Sequence, residues 1–284
     1  MADDSSDEFM RREFPLSAQD FVFLRDFAEA QVGVVLSLDK REMIYSRLAR
    51  RLRSLGLADF AAYCRLLARA QSAEVAYFIH AITTHLTAFF REAYHFDFLL
   101  ETAFPQIEKS MATGRRLRLW SAACASGEEA YSLAMTVHEY GRFANWDVRI
   151  LATDVDTEML TQACAGIYGA DRVSGMSVER QRRFFSRLDD GRYRVTDELL
   201  AMVSFRPFNL IQPCAAGEFH DVIFCRNVMI YFAESHRRAL IARFASMQRP
   251  GAYLMLGHAE TLEQGGAQFY DTCGRTIHRR QGEQ

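Results

Sequence analysis

No two cysteines in this 284-residue chain stand at C-x-x-C spacing, and none sits with histidines at a zinc-ligand interval. The six thiols (Cys64, Cys124, Cys164, Cys214, Cys225, Cys273) are scattered, so they read as reduced core residues and not as a disulfide framework. No run of 18 apolar residues occurs, and no membrane-spanning helix is expected. The first residues, MADDSSDEF, are acidic and polar, the opposite of a secretory leader. Net charge is only −2, so bulk electrostatics selects neither nucleic acid nor a membrane surface. Internal repeats are absent. The expectation is a cytoplasmic monomer with no nucleic-acid partner, no direct membrane insertion and no metal.

What is present is the balance of a globular protein with a real core, 49% hydrophobic and 25% charged. Residues 1–13 read as a disordered acidic tail and residues 14–85 as a helical domain. Its clearest helix lies within residues 37–56. Asp39 and Glu42 have capping-box spacing, Gly56 is placed to end the helix in a left-handed conformation, and Ile44, Leu48, Leu52 and Leu55 form an apolar stripe. Lys40, Arg47, Arg50 and Arg51 share another face. Residues 40–53 hold six basic residues and one acidic one, so that face is either simply solvated or a docking surface for an acidic partner.

After Pro105 the pattern changes. Strands at 117–120, 148–152, 221–225 and 252–256 alternate with helices at 128–137, 157–165 and 234–247, which predicts an α/β domain on a largely parallel sheet. Residues 167–207 interrupt it with a charged helix (177–187) and short strands (193–195 and 202–205), read as a small antiparallel insertion.

The turn WSAACASGEEAYS (residues 120–132) joins the first strand to the first helix, where doubly wound sheets bind ligands. Its small residues admit close backbone approach, although it is neither G-x-G-x-x-G nor a Walker loop. Asp154 closes the second strand, 25 residues after Glu129, where an acid commonly accepts a ribose's hydroxyls. Turn and acid together favour an adenosine-bearing ligand and leave a nicotinamide cofactor and S-adenosylmethionine both open. Asn209 and Asn227 each follow an apolar run and are either polar contacts or turn formers. Tyr231 could face the same cleft or be core. The segment TTHLTAFFRE (residues 83–92) joins two aromatic rings to Arg91, whose fork suits a carboxylate.

TTHLTAFFRE, LWSAACASGEEAYSLAM, LATDVDTEML, FNL, DVIFCRNVMIYF and GHAETL, in this order and spacing, resemble the chemotaxis receptor methyltransferases, the CheR family, from about residue 15 onward. The resemblance implies an all-helical N-terminal receptor-recognition domain (14–85). A Rossmann-like S-adenosylmethionine-dependent methyltransferase domain (86–284) would follow, with a small antiparallel β-subdomain at about 167–207. It implies methyl transfer from S-adenosylmethionine to glutamate carboxylates of chemoreceptors, leaving S-adenosylhomocysteine. Cofactor contacts carry over to His85, Thr87, Arg91, Glu129, Asp154, Asn209, Leu210, Asn227 and Val228. Arg91 and Tyr231 stand beside the transferred methyl, and Lys40, Arg47, Arg50 and Arg51 become the receptor-docking face. Two departures stand out. The linker block usually reads T-N-L-T or similar, and here His85 occupies the Asn position. The loop after Phe185, SRLDDGR, is about three residues shorter than the one with which some members bind a receptor's C-terminal pentapeptide, so no such tether is expected. The competing readings are a methyltransferase of another protein or small molecule, and a signalling module that binds S-adenosylmethionine without turnover.

Overall fold

The computed structural model describes residues 12–69, 73–110, 114–213, 219–262 and 265–282, and the chain divides into two compact units. The first runs to Thr84 and also takes Tyr231–Ala233; the second comprises the rest, from His85 onward. Most of the expected tail, residues 1–11, lies outside the described residues, as does Cys214. Its last two residues are tied down, Arg12 by Glu42 and Glu13 by Arg53.

The first unit packs helices Ala18–Val32, Arg41–Leu55, Phe60–Arg69 and Ala73–Ile82 around Phe21, Leu24, Ile44, Leu48, Leu52, Phe60, Tyr63 and Phe78. Each such buried apolar side chain contributes about 1.5–3 kcal/mol. Gly56 ends its helix at φ 66°, and the Leu57 N–H reaches the Leu52 carbonyl at 3.0 Å, the closure expected there. The expected capping box is corrected. Residues 38–40 form a 3-10 turn, the helix starts at Arg41 without a side-chain cap, and Asp39 bonds Ser37 instead. A genuine capping box stands one helix earlier, between Ser17 and Asp20. Leu55, the last residue of the expected stripe, is 37% exposed.

The second unit is built on a seven-stranded sheet. Its strands are β1 (Arg116–Ala122), β2 (Asp147–Asp154), β6 (Val203–Pro207), β7 (Val222–Cys225), β8 (Tyr253–Leu256), β9 (Tyr270–Gly274) and β10 (Ile277–Arg280), in the spatial order β6-β2-β1-β7-β8-β10-β9. The strands from β6 to β8 are mutually parallel, and strand order reverses at β1, which lies between β2 and β7. The core strands are apolar on both faces: Leu119, Ile150, Val222, Phe224 and Met255 are covered on one, and Trp120, Ile223, Leu254 and Leu256 on the other.

A second sheet of three strands, β3 (Ile167–Tyr168), β5 (Tyr193–Val195) and β4 (Phe185–Arg187), is antiparallel. Two details of the expected insertion are corrected. Its helix is Val178–Phe184, after which the chain becomes β4. The segment read as strand 202–205 does not join the small sheet, because β6 pairs in parallel with β2 at the edge of the large one. The β9–β10 hairpin was not expected at all.

Candidate methyl-transfer site

The site grows from the carboxyl ends of β1, β2 and β7. After β1, the chain turns through Ala123 (φ 66°), Ala125 (φ 46°) and Gly127 (φ 94°) before the helix Glu128–Tyr140 opens. Only glycine takes this left-handed region freely, so Ala123 and Ala125 hold it at a cost of about 1–2 kcal/mol each. No side chain caps the helix's first amides. At Gly127 even a methyl group would stand 2.9 Å from the Cβ of Ala163, so the turn is pressed onto the helix Thr157–Ala165 that follows β2.

Asp154 ends β2 and is 8% exposed. Its Oδ2 accepts the Ala125 N–H at 2.8 Å and its Oδ1 the Asp156 N–H at 2.9 Å. Each oxygen thus keeps a lone pair for another donor. Burial pushes this carboxyl upward, against those two amides. Glu129, in the first turn of the helix, accepts Ser121 Oγ at 2.7 Å on one oxygen and Arg226 Nη1 at 3.2 Å on the other. Its pKa is raised by burial, with the Arg226 charge opposing.

The linker 85–92 forms another wall within this unit. His85 Nε2 lies 2.9 Å from Asp156 Oδ2, and the same carboxylate caps the helix Thr157–Ala165. Thr87 and Arg91 are partly exposed. Arg91 Nη1 donates to the Leu86 carbonyl at 2.6 Å. Phe89 is buried edge-on against Tyr168 and Phe185, while Phe90 (φ 53°) hangs from Ser132 Oγ by its N–H and carries Arg180 at 3.8 Å over its ring. The cation beside the aromatic pair is therefore Arg180.

After β7, Arg226 is buried between Glu92 and Glu129, and Asn227 (φ 58°) turns the chain. The amides of Asn227, Val228 and Met229 converge on the Glu260 carboxylate. Asn209 is a turn former as well as a candidate contact, since its Oδ1 accepts the Ile211 N–H at 3.2 Å; Leu210 beside it is buried.

The cofactor candidates thus fall in one unit, with Glu129 in the first turn of the helix after β1, Asp154 at the end of β2 and Asn227 just past β7. Tyr231 does not; it belongs to the helical unit, where its ring lies 4.4 Å from Lys40 Nζ. The docking face is also revised. Arg47 caps the carbonyls of Ala81 and Thr83, and Arg51 pairs bidentately with Glu74 over the Tyr77 ring, so both hold the helical unit together. Arg50 is exposed. Sequence reasoning missed Arg226, Glu92 and Glu260. Only the strings FCRN, FFRE and GHAE around them offered a signal. His258 Nδ1 donates to Glu92 at 2.9 Å, and His138 pairs with Glu198.

Shielded carboxylates at the reversal point of a doubly wound sheet, beside a small-residue turn, define a Rossmann-like domain for a ligand with hydroxyl and ammonium donors. The donor chemistry fits S-adenosylmethionine, whose ribose diol and α-ammonium group both need acceptors. Residues 19–83 match the family model described as CheR methyltransferase, all-alpha domain, and residues 85–277 match CheR methyltransferase, SAM binding domain. The chain is 40% identical over 275 residues to the chemotaxis protein methyltransferase of Escherichia coli, covering 95% of this chain and 93% of that one. It is 39% identical to the Klebsiella aerogenes protein of the same name, covering 95% and 92%. Against chemotaxis protein methyltransferase 2 of Pseudomonas aeruginosa it is 38% identical, covering 95% and 96%. The chain belongs to the CheR methyltransferase family and is an S-adenosylmethionine-dependent methyltransferase.

Proposed function

We propose that the enzyme esterifies glutamate side chains of chemoreceptors, giving glutamate methyl esters and S-adenosylhomocysteine in sensory adaptation. The observation that supports this most is the end-to-end similarity to chemotaxis protein methyltransferases, which spans the helical unit as well as the cofactor domain. Bound S-adenosylmethionine supplies an electrophilic methyl on sulfur.

In this reading Glu129 accepts the ammonium group and Asp154 the ribose. Asn209 with Leu210, Asn227 with Val228, and His85 and Thr87 complete the walls. The incoming glutamate, with an ordinary pKa near 4.3, is already ionised at neutral pH, so no general base is needed. What remains is alignment and exclusion of water. Arg91 keeps one arm of its guanidinium on the Leu86 carbonyl and offers the other to the carboxylate. Receptor docking falls to Arg50 and to Lys40 in the turn before its helix, with Arg47 and Arg51 shaping that helix.

The β4–β5 hairpin supports independence from a pentapeptide tether. Its loop is closed on itself by Leu188 N–H to the Arg192 carbonyl at 2.8 Å and by an Asp190–Arg192 pair. Incubation with methyl-labelled S-adenosylmethionine and receptor-bearing membranes should give base-labile label on the receptor. Alkali-stable label would exclude a glutamyl ester and favour another acceptor.

A further inference from the structure

We propose that Arg226 is a positioning residue of the methyl-transfer site, a buried clamp that holds the Glu129 carboxylate and the main chain at Arg91 in one geometry. This deepens the reading of Glu129 as the ammonium acceptor and rests on it. The Arg226 side chain, just past β7, is 1% exposed. Its Nη1 lies 3.2 Å from Glu129 Oε2, while its Nη2 donates to the Arg91 carbonyl and lies 3.5 Å from Glu92 Oε2. The rings of Phe96 and Phe224 flank the guanidinium at 5.8 and 5.6 Å. Three chain segments with no local connection, at 91–92, 129 and 226, therefore meet on one planar cation.

Its Nε finds no partner among the described residues. That unmade donor is a cost of keeping an arginine here, set against the charge it brings to Glu92 and Glu129. A leucine or methionine would fill the space between two rings but leave both carboxylates buried without their counter-charge. The fork does what they cannot, because its two arms fix two different groups of the site at once.

The groups facing Glu129 are Arg226, Arg91, Glu92, the Ser121 hydroxyl and the thiols of Cys124 and Cys225. Burial already raises the Glu129 pKa, and Arg226 is the foremost opposing charge. Without it, the proton competes with the ligand's ammonium for this carboxylate.

The test is calorimetric binding of S-adenosylhomocysteine across a pH series on either side of neutrality. Arg226→Gln should bind about 10–100-fold more weakly at neutral pH, the scale seen when a supporting residue of a binding group is lost, and recover part of that as pH rises. Arg226→Lys should keep the wild-type pH profile but lose turnover, since an ammonium cannot fork to Arg91. A purely structural residue would lower affinity equally at every pH. Wild-type affinity in a folded Arg226→Gln, or wild-type affinity and turnover together in Arg226→Lys, would overturn the proposal. The lysine variant decides alone if the glutamine variant does not fold. Glu129→Gln separates the two readings. If it binds normally, the ammonium assignment fails; if it alone loses binding, only the role of Arg226 fails.

Discussion

The Glu260 carboxylate and the main chain of Asn227 form one unit. Oε2 accepts the Asn227 N–H at 2.9 Å and the Gly257 N–H at 2.6 Å, while Oε1 takes the amides of Val228 and Met229 at 2.9 and 2.8 Å. A single anion, 4% exposed, thus satisfies the turn that follows β7 and supports the left-handed conformation of Asn227. A Cβ at Gly257 would stand 2.5 Å from Asn227 Nδ2, so the two loops are in direct contact.

Glu260→Gln should therefore be costly although it is isosteric. An amide offers one accepting oxygen and turns two donors toward amides that are donors themselves. The expected loss is about 2–4 kcal/mol of stability by denaturant titration, together with roughly tenfold weaker S-adenosylhomocysteine binding, since charge-assisted bonds are the strong ones. Intact affinity in a destabilised Gln variant would show that the Asn227 turn does not serve the cofactor.

Glu92 makes the fold acid-sensitive. Burial opposes its ionisation, but the bond to His258 and the charge of Arg226 outweigh it and hold the carboxyl at about 2, below its ordinary 4.5. A depressed carboxyl stabilises the folded state above its ordinary pKa and loses that contribution as pH falls from 4.5 toward 2. Discounted for solvent screening, the contribution at neutral pH is about 1–2 kcal/mol. Glu92→Gln should lower stability near pH 7 by about that order and flatten the decline in that acid window. An unchanged acid limb in pH-dependent urea melts would remove Glu92 from the account.

Gly127→Ala tests the turn after β1. The position combines φ 94° with Ala163 Cβ at 2.9 Å from the added carbon. Strain and overpacking together should cost about 2–4 kcal/mol and weaken cofactor binding with it. Full stability in a thermal melt would mean the turn relaxes freely.

Charge reversal separates two neighbours on the basic helix. Arg50→Glu should leave the melting temperature and cofactor affinity alone while lowering receptor methylation several-fold. Arg51→Glu should instead lose the Glu74 pair, whose side chains are only 28% and 11% exposed, and melt several degrees lower, as about 2–3 kcal/mol implies. Equal methylation by wild type and Arg50→Glu would move the docking surface elsewhere.

Much of this was legible in the residues. The strand–helix alternation, the acidic residues at 129 and 154 and the left-handed Gly56 follow from local chemistry, and each stands where it was expected. The failures have physical causes. An edge strand such as β6 has one paired side and a half-exposed pattern, so it reads like a strand of a small antiparallel sheet. β9 is mostly exposed and lacks the apolar signature of the core strands. Asp39 matched the capping pattern, yet Ser37 took its side chain. Glu260 and Arg226 act on partners about 30 and 100 residues away, and no local pattern announces a contact of that span.

The assignment of Tyr231–Ala233 to the helical unit has a consequence for modular exchange. Phe232 forms a β-bridge with Val34, and the Val35 N–H reaches the Tyr231 carbonyl at 2.8 Å, so a fragment ending at Thr84 lacks part of its own edge. A chimera that grafts only residues 1–84 from a relative would mate a foreign edge with native Tyr231–Ala233. Recombination that keeps specificity intact must carry both pieces, which makes this N-terminal domain heritable as a pair of segments separated by 146 residues.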